Sequence, residues 1–224
     1  TDPAWVRAPI IELDGSSAGA STSGLVFDPG SDGSTIRGLV VNQFTNYGIL
    51  VDGSDNHVIV GNYLGTDVTG TLDRGNQYGI RLESGASGVT IGGTTSADRN
   101  LISGNIQGIG LLSASNNTIT GNYISTDVNG TAALGNSTGI FLSLNSDNNV
   151  IGGTAAGAGN VISGGGYGLF LDAGVDGTIV EGHFIGVDAG GSTLLGNTFY
   201  GMEIRGNSNR IGGTAAGAGN AIAG

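Results

Sequence analysis

A 60-residue repeat constrains the fold of this chain more than any other feature of its sequence. The string IGGT occurs three times at this spacing, at 91–94, 151–154 and 211–214. A second marker recurs at nearly the same period, in steps of 60 and 61 residues, and reads GNY at 61–63, GNY at 121–123 and GHF at 182–184. A fixed period of this length is typical of solenoids, in which stacked units bury a shared core.

Each repeat divides into two units of about 30 residues. A glycine followed by alternating apolar residues begins each unit, at Gly48, Gly79, Gly108, Gly139, Gly168 and Gly201. Every unit holds three short apolar segments at constant offsets, separated by Gly, Asn, Asp and Ser, which favour turns. Alternation with a period of two predicts strands.

The three segments predict three columns of inward-facing residues. The first column is Ile49/Val51, Ile80/Leu82, Ile109/Leu111, Ile140/Leu142, Leu169/Leu171 and Met202/Ile204. The second is Ile59, Ile91, Ile119, Ile151, Ile179 and Ile211, and the third is Leu64, Ile102, Ile124, Ile162, Ile185 and Ile222. We therefore predict an all-β parallel β-helix of about seven coils in alternating pairs, with strands about 4.8 Å apart. A β-sandwich also has many short strands, but it does not explain constant offsets.

The domain organisation follows from where the repeat starts. We assign 1–23 to an N-terminal entry with a partial coil and 24–224 to one β-helix domain. Ile11 to Asp14 is expected to begin the partial coil, and the chain is expected to stop inside a coil at Gly224.

Composition excludes several function classes. The net charge is −11 and all seven basic residues are Arg, which argues against nucleic acid and against anionic membranes. There is no cysteine, so disulfides and thiolate metal sites are excluded. No apolar run approaches the ~20 residues of a membrane span, which predicts no membrane insertion.

The sequence resembles the parallel β-helix repeat regions of secreted and cell-surface bacterial proteins. The resemblance rests on strings such as STIRGLVVNQF (34–44), GNYLGTDVTGT (61–71), GNYISTDVNGTAALGN (121–136) and IGGTAAGAGNVISG (151–164). It implies a right-handed helix of the pectin-lyase-like fold group and an extracellular or cell-surface location. That group includes lyases, epimerases and adhesins, so the fold by itself does not specify an activity.

A column of acids is predicted on the outer side of the first strands. Asp14, Asp28, Asp52 and Glu83 are expected to lie on consecutive coils, where like charges about 5 Å apart repel each other. One interpretation is a Ca²⁺ site, because carboxylate clusters suit hard cations, although we expect no required cofactor. The alternative, which we favour, is that each acid accepts local turn hydrogen bonds.

Arg81 is predicted to lie beside Asp52 and Glu83. In β-helix lyases, an Arg or Lys base beside carboxylate-bound calcium removes the proton next to a uronate. The resemblance therefore implies Arg81, Asp52 and Glu83 as catalytic residues if the protein is a lyase. The alternative is a surface ion-pair cluster.

Two aromatic residues are predicted to stack on the outer side of adjacent coils. These are Phe141 and Phe170, with Leu112 nearby. Exposed rings can pack on sugars or on a protein partner, so these three residues are the predicted binding residues. Alternatively, a long loop of a neighbouring coil covers them.

Three hypotheses of function follow. The first is a structural or adhesive segment that binds a polysaccharide or a cell-surface partner. The second is a Ca²⁺-dependent lyase, or another enzyme, acting on acidic polysaccharide. The third is end-to-end self-association through terminal coils, since open strand edges can pair.

Overall fold

A computed structural model describes residues 11–224, and these form short β-strands and one turn of 3₁₀ helix, Ser96–Asp98. The strands of the first coils are β1 (Ile11–Asp14), β2 (Leu25–Phe27), β3 (Thr35–Arg37), β4 (Leu39–Asn42), β5 (Tyr47–Asp52), β6 (Val58–Val60), β7 (Tyr63–Leu64), β8 (Tyr78–Glu83), β9 (Thr90–Gly92) and β10 (Leu101–Ile102). The others are β11 (Gln107–Leu112), β12 (Thr118–Thr120), β13 (Tyr123–Ile124), β14 (Thr138–Ser143), β15 (Val150–Gly152), β16 (Val161–Ile162), β17 (Tyr167–Leu171), β18 (Ile179–Glu181), β19 (Phe184–Ile185), β20 (Tyr200–Ile204), β21 (Arg210–Ile211) and β22 (Ala221–Ile222).

The strands form three parallel sheets. Sheet I takes the first strand of each coil (β2, β5, β8, β11, β14, β17, β20), and sheet II takes the second (β3, β6, β9, β12, β15, β18, β21). Sheet III takes the third and also β1 (β1, β4, β7, β10, β13, β16, β19, β22). Seven coils of three strands therefore stack in chain order, and the predicted parallel β-helix is confirmed.

The predicted inward columns form the core. In sheet I, Ile80 pairs with Ile49 and Ile109, and all three side chains are fully buried. One member of the second column is wrong. Val180, not Ile179, pairs with Ile151 and Ile211, and Val180 is the fully buried residue. Two adjacent β-branched residues make either register possible in sequence, and only one of them can face the core.

The first strand lies in a different sheet from the one predicted. Asp14 pairs with Asn42, which places β1 in sheet III, so Asp14 is not in line with Asp28, Asp52 and Glu83. The prediction failed because the alternation in Ile11–Asp14 reads the same in any sheet, and this strand lacks the coil-starting glycine that marks sheet I.

The alternation of coils comes from where their long loops lie. Each IGGT segment begins at the end of a sheet II strand and leads into a long turn toward sheet III, and the loops around Asp67, Asp127 and Asp188 connect sheet III to sheet I in the other coils. These latter loops stack on one another, since the backbone N–H of Val128 donates to Gly70 and that of Ala189 donates to Gly130. They cover outward-facing residues of sheet III.

Buried asparagines connect the coils at the corners. Asn122 is representative: its backbone N–H and its Nδ2 both donate to Asn160 Oδ1 at 2.9 Å, and Nδ2 also donates to the carbonyl of Ile91. The other members of this ladder are Asn62, Asn100, Asn160, His183 and Asn220. Asn76, Asn105 and Asn136 form a second ladder, and Asn197 stands two coils beyond Asn136, where it accepts the backbone N–H of Gly165. His57, Asn117, Asn149 and Asn209 occupy a third. Both histidines of the chain therefore stand at ladder positions.

The coil-starting glycines leave room for the second ladder. A Cβ on Gly108 would come within 2.6 Å of the carbonyl oxygen of Gly139 and 2.9 Å of Asn136 Nδ2. The repeated glycine in the sequence is thus a consequence of close packing between consecutive coils.

Candidate functional site

The outer face of sheet I is the candidate site, and it carries three columns of outward-facing residues. The first column is Tyr47, Tyr78, Gln107, Thr138, Tyr167 and Tyr200. The middle column is Val26, Leu50, Arg81, Gly110, Phe141, Phe170 and Glu203. The last column holds Asp52, Glu83, Leu112 and Ser143, with Asp28, Asp172 and Arg205 directly after the ends of their strands.

The N-terminal half of this face contains the predicted catalytic residues. Asp52 pairs with Glu83 on the adjacent strand, and Arg81 lies on the same strand as Glu83, so the structure brings these three residues together. Arg81 Nε lies 3.1 Å from Glu83 Oε2, and a terminal nitrogen of Arg81 donates to Gln107 Oε1 at 3.2 Å. The Arg81 side chain is only 11% exposed. Its guanidinium is therefore held in an ion pair against the sheet.

Gly110 and Tyr78 complete the surroundings of Arg81. The guanidinium carbon lies 5.3 Å from the centre of the Tyr78 ring. A Cβ on Gly110 would come within 3.1 Å of the terminal nitrogen of Arg81, so the missing side chain at this position makes room for the guanidinium. Next to this pair, burial and the charge of Glu83 raise the pKa of Tyr47 above its ordinary value, so its phenol stays protonated.

The predicted acidic column does not form a cation cluster in the described residues. Asp14 lies in sheet III, and there its Oδ1 accepts the backbone N–H of Ser16 at 2.8 Å, as expected for a local turn. Across residues 11–224, no group of three or more His, Asp or Glu side chains converges as a metal site. Asp28, Asp52 and Glu83 are therefore spread along the helix axis, one per coil.

The C-terminal half of the face is aromatic. Phe141 and Phe170 lie on adjacent strands with ring centres 5.3 Å apart, as predicted, and both are half-buried. Leu112 lies one strand earlier in the neighbouring column and is half-buried as well.

Three further aromatic residues extend this surface. The Tyr167 ring centre lies 4.9 Å from that of Phe199, 5.8 Å from that of Tyr200 and 6.3 Å from that of Phe170. Phe199 and Tyr200 are 62% and 55% exposed. We call Phe141, Tyr167, Phe170, Phe199 and Tyr200 the aromatic cluster.

The sequence analysis missed these three residues, although a signal was present. Tyrosine stands directly before the coil-starting glycine in four coils, at Tyr47, Tyr78, Tyr167 and Tyr200. The tyrosines lie three positions before the middle-column residues, so period-two alternation does not place them on the outer face, and their recurrence before the glycine is the signal that marks them. Phe199 has no such signal, because it precedes its strand and reaches the cluster from a turn.

One arginine lies against the aromatic cluster, and it is neutralised. The guanidinium carbon of Arg205 is 4.6 Å from the centre of the Phe170 ring. Its nitrogens lie 2.7 Å from a Glu203 oxygen and 3.5 Å from an Asp172 oxygen. The hydrogen bond with Glu203 raises the pKa of Arg205 above its ordinary value, so the pair stays charged. Rings flanked by carboxylates can stack on sugar C–H faces while the carboxylates accept hydrogen bonds from hydroxyl groups.

In the part of the chain that the structure describes, no helix is both long and apolar enough to cross a membrane. No protein-family model matches the sequence, and no curated protein matches it. Among solved structures, the chain is similar to the A-module of the mannuronan C-5 epimerase AlgE6 of Azotobacter vinelandii, with 17% identity and a TM-score of 0.46. The match covers 92% of this chain and 56% of that one, so the chain spans little more than half of the epimerase module's length.

Proposed function

We propose that this protein is a rigid β-helix segment of a secreted or cell-surface protein and that it binds polysaccharide through the aromatic cluster. The observation that carries the proposal is the unbroken contact of five rings across β14, β17 and β20, with Phe199 and Tyr200 more than half exposed. Exposed apolar groups clustered in this way mark interaction surfaces.

The shape of the face supports a polymeric ligand. The outward columns of sheet I run along the helix axis, and strands follow one another about 4.8 Å apart. The cluster therefore extends over about 10 Å, which is two strand spacings, and the column continues beyond it toward Arg81. An extended sugar chain can lie along such a column and contact several rings at once.

A calcium-dependent lyase acting on acidic polysaccharide is the second candidate. It is favoured by one observation, the position of Asp52 and Glu83 on adjacent strands with Arg81 beside them. The ion pair of Arg81 with Glu83 and its contact with Gln107 occupy the guanidinium that would have to reach the substrate. For this reason we rank the lyase below the binding function.

A panel of neutral and acidic polysaccharides separates the two candidates. Binding and depolymerisation are measured with Ca²⁺ and with a chelator, for the wild type, Tyr167→Ala and Arg81→Ala. The binding function predicts retention that Tyr167→Ala weakens, no cleavage, and no effect of Arg81→Ala. Phe184→Ala removes a half-exposed ring from sheet III and is the matched control. Cleavage that is lost both on chelation and in Arg81→Ala would establish the lyase instead.

End-to-end self-association is a third proposal. Ile211 and Ile222, on the last strands of sheets II and III, are 40% and 52% exposed. Sedimentation velocity over a range of concentrations tests it, and a strict monomer at high concentration would reject it.

A further inference from the structure

We infer that the aromatic cluster takes neutral, hydroxyl-rich glycans and discriminates against uronate polysaccharides. The inference rests on the proposed carbohydrate-binding function and specifies the class of ligand. The ligand class is inferred from the charged side chains next to the rings, because ring contacts by themselves do not distinguish neutral from acidic sugars.

The cation at the cluster is already compensated. Among the arginines in residues 11–224, Arg205 is the one whose guanidinium lies over a ring of the cluster. Glu203 Oε1 lies 2.8 Å from Nε and 2.7 Å from one terminal nitrogen of Arg205. An Asp172 oxygen lies 3.5 Å from the other terminal nitrogen. One positive charge is thus matched by two negative charges, so the net charge beside the rings is negative.

The carboxylates beside the rings suit hydroxyl groups. Glu203 stands in the middle column directly next to Phe170 on the adjacent strand, and it is half-buried. Asp172 follows Leu171 at the end of β17 and is also half-buried. A carboxylate accepts hydrogen bonds and donates none when ionised, so it pairs with sugar hydroxyls and repels a uronate.

The charge of the whole chain acts in the same direction. A net charge of −11 disfavours the approach of a polyanion, and this effect weakens as salt screens it. Ring stacking on a neutral sugar is insensitive to salt. Dependence on ionic strength therefore distinguishes the two ligand classes.

Isothermal titration calorimetry at low and high salt tests the inference. The probes are neutral hexasaccharides of glucose, mannose and xylose, and hexamers of galacturonate and mannuronate as the acidic series. We expect a neutral hexamer to bind with an affinity that changes less than twofold with salt, and the acidic hexamers to bind at least tenfold more weakly at low salt. Glu203→Gln should lower the neutral affinity by about threefold to tenfold through a weaker hydrogen bond.

A double variant of Glu203 and Asp172 should gain the ability to bind acidic hexamers, which would not occur if the two carboxylates had only a structural role. In Glu203→Gln with Asp172→Asn, the positive charge of Arg205 over Phe170 is no longer balanced by a carboxylate. Acidic hexamers should then bind, and added salt should weaken this binding. Thermal unfolding confirms that each variant is folded. Tighter binding of acidic than of neutral hexamers by the wild type, lost in Tyr200→Ala, would overturn this inference while leaving the carbohydrate-binding function intact. Binding of no hexamer in either series would overturn both.

Discussion

His183 Nδ1 accepts the backbone N–H of Asn160 at 3.1 Å, in the position that asparagine oxygens occupy elsewhere in the same ladder. An N–H group can only donate, so Nδ1 carries no proton, and Nε2 donates to the carbonyl of Ile151 at 2.9 Å. The ring is thereby fixed as the neutral Nε2–H tautomer inside the helix. Protonation would place two N–H groups against each other.

This geometry predicts that mild acid destabilises the fold. Burial lowers the pKa of His183 from 6.5 to about 4, although its hydrogen bond to the Ile151 carbonyl acts in the opposite direction. Between these two values the unfolded chain binds a proton that the folded chain does not, so the free energy of unfolding falls as pH decreases from about 6.5 to about 4. The loss is at most about 3 kcal/mol. Urea unfolding at several pH values measures it.

His183→Asn should remove most of that pH dependence, because asparagine is the ordinary ladder residue and does not titrate. Asp188→Asn is the matched control. Backbone hydrogen bonds from Thr193 and Ser192 lower the pKa of Asp188 below 3.8, so its contribution is lost only at lower pH. An unchanged slope between pH 4.5 and 6.5 in His183→Asn would show that the ladder histidine is not the titrating group.

A Cβ at Gly108 is predicted to break the contact between consecutive coils. It would overlap the carbonyl of Gly139 and displace the ladder residue Asn136. Gly108→Ala should therefore lower the free energy of unfolding by about 1–3 kcal/mol, the range for overpacking a dense interior. At Gly219 a Cβ would meet nothing within 4 Å. Gly219→Ala should stay within about 0.5 kcal/mol of the wild type, and equal effects of the two variants would contradict this packing argument.

The third ladder lacks a hydrogen-bonding side chain at Thr178, and a substitution there is predicted to stabilise the fold. Thr178 stands where Asn117 and Asn149 stand in earlier coils, and its buried Oγ1 has no hydrogen-bond partner. In Thr178→Asn the amide oxygen can accept the backbone N–H of Asn149, as Asn149 accepts that of Asn117 at 2.8 Å. We expect a gain of about 1 kcal/mol in denaturant unfolding.

Thr178→Val provides a second comparison, since it removes the unpartnered hydroxyl while keeping the shape of the side chain. It should be neutral or slightly stabilising. Destabilisation by both variants would mean that the Thr178 hydroxyl is satisfied in solution.

The aspartates of the long loops are predicted to hold turns rather than calcium. Asp127 Oδ1 accepts the backbone N–H groups of Thr131 and Ala132 at 2.8 and 3.0 Å. Asp127→Ala should cost about 2 kcal/mol of stability, whereas Asp127→Asn keeps the acceptor oxygen and should cost less. A melting temperature that rises with Ca²⁺ in the wild type but not in Asp127→Asn would reverse this assignment.

The fold was predictable because each coil repeats the same pattern of three short apolar strands separated by turn residues. Period-two alternation at constant offsets defines which residues face the core, and Ile49, Ile80 and Ile109 lie in one column as expected. The failures occur where this pattern is ambiguous. Asp14 follows a strand whose alternation does not specify its sheet, and Ile179 has a second β-branched residue beside it.

The candidate site was predictable only in part. Phe141 and Phe170 follow from the alternation, but Phe199 reaches the cluster from a turn, and no periodicity describes a turn. The ion pairs of Arg205 depend on side-chain conformations, since Asp172 lies 33 positions and Glu203 two positions before it in the sequence. The ladder roles of His57 and His183 were hidden because each occurs once, in place of a repeated asparagine.

The most direct test of carbohydrate binding on sheet I is an NMR titration that follows the aromatic side chains. A neutral hexasaccharide, chosen from the calorimetric series, is added to protein labelled at its phenylalanine and tyrosine rings. We predict saturable shifts at Phe141, Tyr167, Phe170, Phe199 and Tyr200, with the rings of Tyr63 and Phe184 on sheet III unchanged. Shifts confined to sheet III, or no shift for any neutral or acidic hexamer, would contradict the account.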